Sequence, residues 1–162
     1  MNAPCKVVWV ALVALAVLVG APGAEAQAPS PRLTLADAQK IIEAAQSRAS
    51  QMNLRVSVAV VDVRGDLIAL ARMPGAGANT PDTAIGKAMM SAIYGQPSAA
   101  LVQRATNPST QALNDATGGR LRFIQGGVPI VRSGFTVGAV AASGATSQQD
   151  EEISRAGLTA AP

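Results

Sequence analysis

Apolar and polar positions alternate along this chain with two different periods, and the changes of period divide it into elements. Leu35, Ala38, Ile41, Ile42, Ala45 and Ala49 recur at helical spacing, with Lys40, Glu43, Gln46 and Arg48 on the other face. That pattern predicts an amphipathic helix over 35–51. Thr34 at the N-cap and Asp37 three residues on form a capping box at its start. Val56 to Asp62 is a β-branched run ended by Val63-Arg64-Gly65-Asp66, and the apolar run Leu67 to Met73 follows at once. Two strands about a short Gly-bearing turn predict a hairpin.

Beyond the loop Pro74–Ala78, Thr80 caps a second helix, with Pro81 at its first position and Asp82 in its first turn, running to about Tyr94. Ser98 opens a short third helix to about Ala105. Residues 106–120, rich in Asn, Thr, Ser, Gly and Asp, read as loop with at most a helical turn. Leu121–Ile124, Val128–Arg132 and Phe135–Ser143 are three strand candidates, the last two joined by a tight turn at Ser133-Gly134. Ser147-Gln148-Gln149-Asp150 is a second capping box, opening a final helix to about Leu158. Successive strands are joined by short turns and not by helical crossovers. The expected architecture is therefore α/β of the α+β kind, an antiparallel sheet with helices packed on it.

The N-terminus follows another pattern. Lys6 precedes an unbroken apolar run from Val7 to Val19, then Gly20, Pro22, Gly23 and Ala24-Glu25-Ala26. A positive start, an apolar stretch and an A-x-A site make a secretory signal peptide over 1–26. The run is shorter than the roughly 20 residues a spanning helix needs. Residues 27–32 read as a flexible leader, and 33–160 as one domain. Cleavage removes Cys5 and Trp9, and it takes away one Lys with one Glu, so the net charge stays at +3. The expected location is periplasmic or extracellular. A domain exported without cysteine is held by its core alone.

Composition removes several kinds of chemistry. With no histidine in 162 residues, a Ser-His-Asp triad and a His-ligated zinc are excluded. Aromatics at 2% leave no stacking platform for single-stranded nucleic acid, and the basic residues are scattered singly, without a patch. No catalytic residue and no metal-ligand set is assigned.

A few positions could still carry chemistry. Lys87, mid-helix between Ile85 and Met89, reads either as a buried anion binder or nucleophile, or as a lysine snorkelling at a helix edge, the plainer reading. Met89 and Met90 are thioethers about 100° apart on a helix, which suits core filling better than a shared ligand. Asp62 and Asp66 flank a turn and read as turn chemistry. Asp150-Glu151-Glu152 in a first helical turn reads as compensation of the helix dipole. Gly118-Gly119 and Gly126-Gly127 fit either tight turns or a flat ligand lying on backbone.

Taken together, three stretches carry a family resemblance. They are Val58-Ala59-Val60-Val61-Asp62-Val63-Arg64-Gly65-Asp66-Leu67 with Arg72-Met73-Pro74-Gly75-Ala76; Ala84-Ile85-Gly86-Lys87-Ala88; and Gly126-Gly127-Val128-Pro129-Ile130 with Gly138-Ala139-Val140, Ser143-Gly144-Ala145, Asp150 and Ala156-Gly157-Leu158. The chain resembles the GlcG/HbpS family of haem-binding proteins, related to the C-terminal domain of PduO-type corrinoid adenosyltransferases, from about Leu33 to Leu158. The resemblance implies a profilin-like fold with a five-stranded antiparallel sheet, self-association into homo-oligomers, and haem or a related tetrapyrrole as ligand. Lys87 and Arg120 would then pair with propionates. A chain without histidine must offer the iron a hydroxyl such as Thr117, a thioether, or the Tyr94 phenolate. The expected function is an exported binding protein for such a ligand, with no nucleic-acid partner and no membrane attachment after cleavage. The alternative is an enzyme or accessory protein acting on a small organic acid such as a 2-hydroxy acid, its carboxylate held by Lys87 and Arg72.

Overall fold

A computed structural model describes residues 32–160. The predicted signal peptide, and the leader as far as Pro31, lie outside the described residues. The elements are α1 (Leu35–Gln51), β1 (Ser57–Asp62), β2 (Leu67–Arg72), α2 (Thr80–Tyr94), a 3-10 segment (Ser98–Thr106), α3 (Pro108–Ala116), β3 (Gly127–Arg132), β4 (Phe135–Ser143) and α4 (Ser147–Leu158).

The first cap and the hairpin turn do what their residue types dictate, whereas Thr80, expected to cap α2, is its first residue and donates its hydroxyl to Gly77 C=O at 2.8 Å. The Thr34 hydroxyl accepts from Asp37 N–H while the Asp37 carboxylate accepts from Thr34 N–H at 3.0 Å. These bonds, with Arg132 beside them, hold the Asp37 carboxyl below its ordinary value. Between β1 and β2, one oxygen of Asp62 accepts the N–H groups of Arg64 (2.8 Å) and Asp66 (3.0 Å), so Asp62 is a turn residue.

The sheet is antiparallel, with order β2-β1-β4-β3. It has four strands and not the expected five. Leu121–Ile124 leaves the sheet and crosses α2, where Arg122 N–H donates to Gly86 C=O at 3.3 Å and Leu121 N–H to the Asn114 side chain at 2.9 Å. Leu121 is buried there with Met89, Met90 and Leu101. A short apolar run looks alike whether a strand or a crossing segment buries it. The segment 106–120, read as loop, contains α3, started by Asn107, whose side chain accepts from Ser109 and Thr110 N–H.

Helices cover both faces of the sheet. Val58 and Val60 of β1 and Val140 and Ala142 of β4 point into the core beneath α1 and α4, with Ile41, Ala45 and Ile153. Val61, Ala139 and Ala141 face α2 and meet Ala88 and Ala92. Cover on both sides explains why β1 reads as a continuous apolar run and not as an alternating one. Small residues on the second face let α2 lie close to the sheet.

Candidate functional site

Two polar clusters form where these layers meet, and they differ in access to solvent. The first is sealed. The Lys87 ammonium, on α2, donates to Asp150 Oδ2 at 2.7 Å and to Ala142 C=O at 3.3 Å. The two side chains are only 2% and 3% exposed. Lys87 is therefore no snorkelling surface lysine, and Asp150 does more than offset a helix dipole. The cap explains the second point: Thr146, one residue before the expected Ser147, takes Gln149 N–H, and Asp150 is left to turn inward. Burial pushes the Asp150 carboxyl above its ordinary value, against the opposing pull of Lys87 and of the Ala145 and Gly144 N–H groups.

The glycine pair 126–127 makes room for this contact. A Cβ at Gly126, which sits at φ +136°, would lie 2.8 Å from Lys87 Nζ and 3.0 Å from Asp150 Cβ. One at Gly127 would lie 2.5 Å from Lys87 C=O. Ser154 ties the surroundings together, accepting from Ala142 N–H (2.7 Å) and donating to Gly126 C=O (2.6 Å). This cluster joins α2, β3, β4 and α4.

The second cluster is an open groove of about 330 Å³ lined by Leu67, Asp82, Ile85, Gly118, Gly119, Arg120 and Arg122. Leu67 and Ile85 give it apolar walls. Arg120 and Arg122 arrive on the segment that crosses α2 at Gly86, where a side chain would collide: a Cβ there would meet the Arg120 carbonyl and lie 2.5 Å from Arg122 Cγ. Arg120 Nη2 rests on Met89 Sδ at 3.3 Å, and Arg122 Nη1 donates to Gly119 C=O at 2.7 Å. Among the described residues neither guanidinium has an ion-pair partner. Gly118 and Gly119, both at φ +70°, have open space where side chains would be.

The other expected positions are dispersed. Thr117 ends α3 beside the groove, its hydroxyl donating to Asn114 C=O at 2.8 Å. Arg72 turns back onto the Ala76 and Gly77 carbonyls. Tyr94 is half-buried, with the Arg104 guanidinium 5.3 Å from its ring centre. The structure thus groups Arg120 with Gly118 and Gly119 at the groove, and Lys87 with Gly126 and Gly127 in the sealed cluster, while Thr117 is not on the groove's lining. Sequence reasoning missed Arg122 and Asp82 as groove residues. Arg122 carried a signal, a basic residue inside an apolar run two residues from Arg120, but its direction depends on the crossing at Gly86. Among the described residues, no group of three or more Asp, Glu, His or Cys could hold a metal ion, and no helix is long and apolar enough to cross a membrane.

Comparison with known proteins agrees with the fold. Residues 33–159 match the model of a family described as haem-degrading, HbpS-like proteins. A double Glu-to-Asp variant of HbpS from Streptomyces reticuli is 33% identical, with a TM-score of 0.71, covering 90% of this chain and 97% of that one. The haem complex of PduOC is 26% identical, with a TM-score of 0.70, over 80% of this chain and 94% of that one. An uncharacterized 15.0 kDa protein from the dhaT-dhaS intergenic region of Citrobacter freundii is 30% identical over 128 residues, 78% of this chain and 89% of that protein. With its matching span running from just before α1 to the end of α4, the chain belongs to the HbpS-like family.

Proposed function

We propose that this protein is an exported binding protein for haem or a related tetrapyrrole, and that the groove at Arg120 and Arg122 is where the ligand docks. The observation that carries the reading is a pair of guanidiniums that have no ion-pair partner among the described residues and stand beside an apolar wall. That arrangement suits a flat apolar molecule with carboxylates at one edge, because Arg binds carboxylates through strong charge-assisted hydrogen bonds. The family and the haem complex of a relative support it. At about 330 Å³ the groove is at the small end of ligand sites, enough for one edge of a macrocycle. Arg120 and Arg122 would hold the propionates, Leu67 and Ile85 the ring edge, and Gly118-Gly119 would let backbone approach it. Bound haem would supply an iron centre with its own ligand and redox chemistry.

Titration with hemin tests the reading. A raised and shifted Soret band is expected, and the double variant Arg120→Ala/Arg122→Ala should bind at least roughly 100-fold more weakly, for two charge-assisted bonds of about 1.5–3 kcal/mol each. A free-hemin spectrum at excess protein would refute it. The organic-acid alternative needs Lys87 and Arg72 on one carboxylate. Lys87 is committed to Asp150 and Arg72 to loop carbonyls, so that alternative is less favoured. Self-association through the outer strand β2 is part of the proposal. Leu67 (47% exposed) and Leu70 (37%) stand on that strand, and Leu67 also lines the groove.

A further inference from the structure

Asp82, Ile85 and Gly86 stand at i, i+3 and i+4 on α2, so they follow one another along one helix face. The segment bearing Arg120 and Arg122 crosses that face at Gly86. Leu121, between the two arginines, is buried with Met90 and Leu101, so the arginines on either side of it turn the other way, to the groove. Arg120 then reaches toward the C-terminal end of α2, to Met89. Asp82 lies toward the opposite end, about 6 Å along the helix axis from Gly86 and about 10 Å from Met89. The groove lining thus carries both signs of charge, two guanidiniums and a carboxylate, with the apolar Ile85 between Asp82 and the crossing. Asp82 is exposed and, among the described residues, forms no ion pair with the groove arginines or with any other cation. An acid in a first helical turn favours the helix on its own account. The place of this one on the groove lining gives its charge a second effect, on whatever lies in the groove.

We infer that Asp82 sets which tetrapyrroles the groove accepts, admitting those whose carboxylates are confined to one edge. The groove takes one edge of a macrocycle. With the paired carboxylates of that edge on Arg120 and Arg122, the next ring positions lie over Ile85 and toward Asp82. Methyl or vinyl groups at those positions meet an apolar side chain and no opposing charge. A further carboxylate there stands beside that of Asp82, and like charges in an open groove repel. At an effective dielectric between that of a protein surface and that of water, two carboxylates about 6 Å apart lose on the order of 3- to 10-fold in affinity. This selectivity rests on the tetrapyrrole reading above but concerns a different property, the pattern of acidic groups round the ring. It asks nothing of the centre of the macrocycle, so metal-free porphyrins are the direct probes.

Fluorescence titration of the full-length protein compares protoporphyrin IX, whose carboxylates share one edge, with coproporphyrin III, whose carboxylates are spread round the ring. The same titrations are made on Asp82→Asn, Asp82→Ser and Glu43→Gln, with folding checked by circular dichroism. Glu43 is an exposed acid on α1, across the sheet from α2, and its variant makes the same change of net charge. Wild type should prefer protoporphyrin IX. Either Asp82 variant should tighten coproporphyrin III about 3- to 10-fold relative to protoporphyrin IX. Glu43→Gln should leave the ratio within about twofold, because a distant exposed charge is screened. At about 1 M salt, where the Debye length is about 3 Å, wild type and Asp82→Asn should agree to within about twofold. An unmoved ratio in the folded Asp82 variants, or an equal shift in Glu43→Gln, would overturn the role of Asp82 and leave the tetrapyrrole reading standing. Wild type binding coproporphyrin III as tightly as protoporphyrin IX would do the same without any variant. Binding of neither porphyrin by wild type would overturn both.

Discussion

Replacing Lys87 by methionine tests the sealed cluster most directly. The change keeps most of the side-chain volume but removes the ammonium 2.7 Å from Asp150. Breaking a buried ion pair by removing one partner costs about 3–5 kcal/mol, because the other charge is left without compensation. For a domain of this size, roughly 4 °C is lost per kcal/mol, so the melting temperature should fall on the order of 10–20 °C. The loss should depend on pH. The Asp150 carboxyl is already raised by burial, and losing Lys87 raises it further. A carboxyl whose folded pKa lies above its unfolded value binds more protons when folded. Its contribution is therefore fully present below the unfolded value of 3.8 and is lost as pH rises through the folded one. Lys87→Met should be less impaired at about pH 5 than at about pH 8. The double variant Lys87→Met/Asp150→Leu carries no buried charge there and should recover to within about 1–2 kcal/mol of wild type, or exceed it. Urea unfolding at the two pH values, arranged as a double-mutant cycle, measures all of this. A single variant within about 1 kcal/mol of wild type, or a double variant as impaired as the sum of the singles, would refute the argument.

Three further outcomes follow from particular contacts. Gly86→Ala should push the Arg120–Arg122 segment off α2, costing about 1–3 kcal/mol in chemical unfolding and weakening hemin binding although it touches neither arginine side chain's charge. Thr34→Ala removes the acceptor for Asp37 N–H and should cost about 1 kcal/mol by the same assay, with hemin affinity unchanged. Leu70→Lys on the outer strand should reduce the mass seen by light scattering to that of one chain, and a mass equal to wild type would exclude β2 as the contact.

Much of the local structure was legible because its causes are local. The helix 35–51, the hairpin with its Asp62-based turn and the strand Phe135–Ser143 follow from residue spacing, caps and turn chemistry within a few positions. α3 was legible too, had Asn107-Pro108 been read as a cap followed by proline at the first helical position. The site was less readable. Arg120 was an expected ligand residue and lies at the groove, whereas Lys87, expected beside it, has its ammonium in the interior. Nothing near Lys87 in the chain announces Asp150, 63 residues away. Leu121–Ile124 likewise had a strand-like composition, but its neighbours are on α2.

By itself, then, the sequence determined the periods, the cap of the first helix, the hairpin turn and the absence of imidazole, all properties of single residues or of residues within one helical turn. Tertiary structure alone decided the fate of charges and of short apolar runs. Whether a lysine is a surface cation or half of a buried pair depends on what packs over it. Here that is α4 and two glycines without side chains, which leave just enough space for an ammonium to reach a carboxylate.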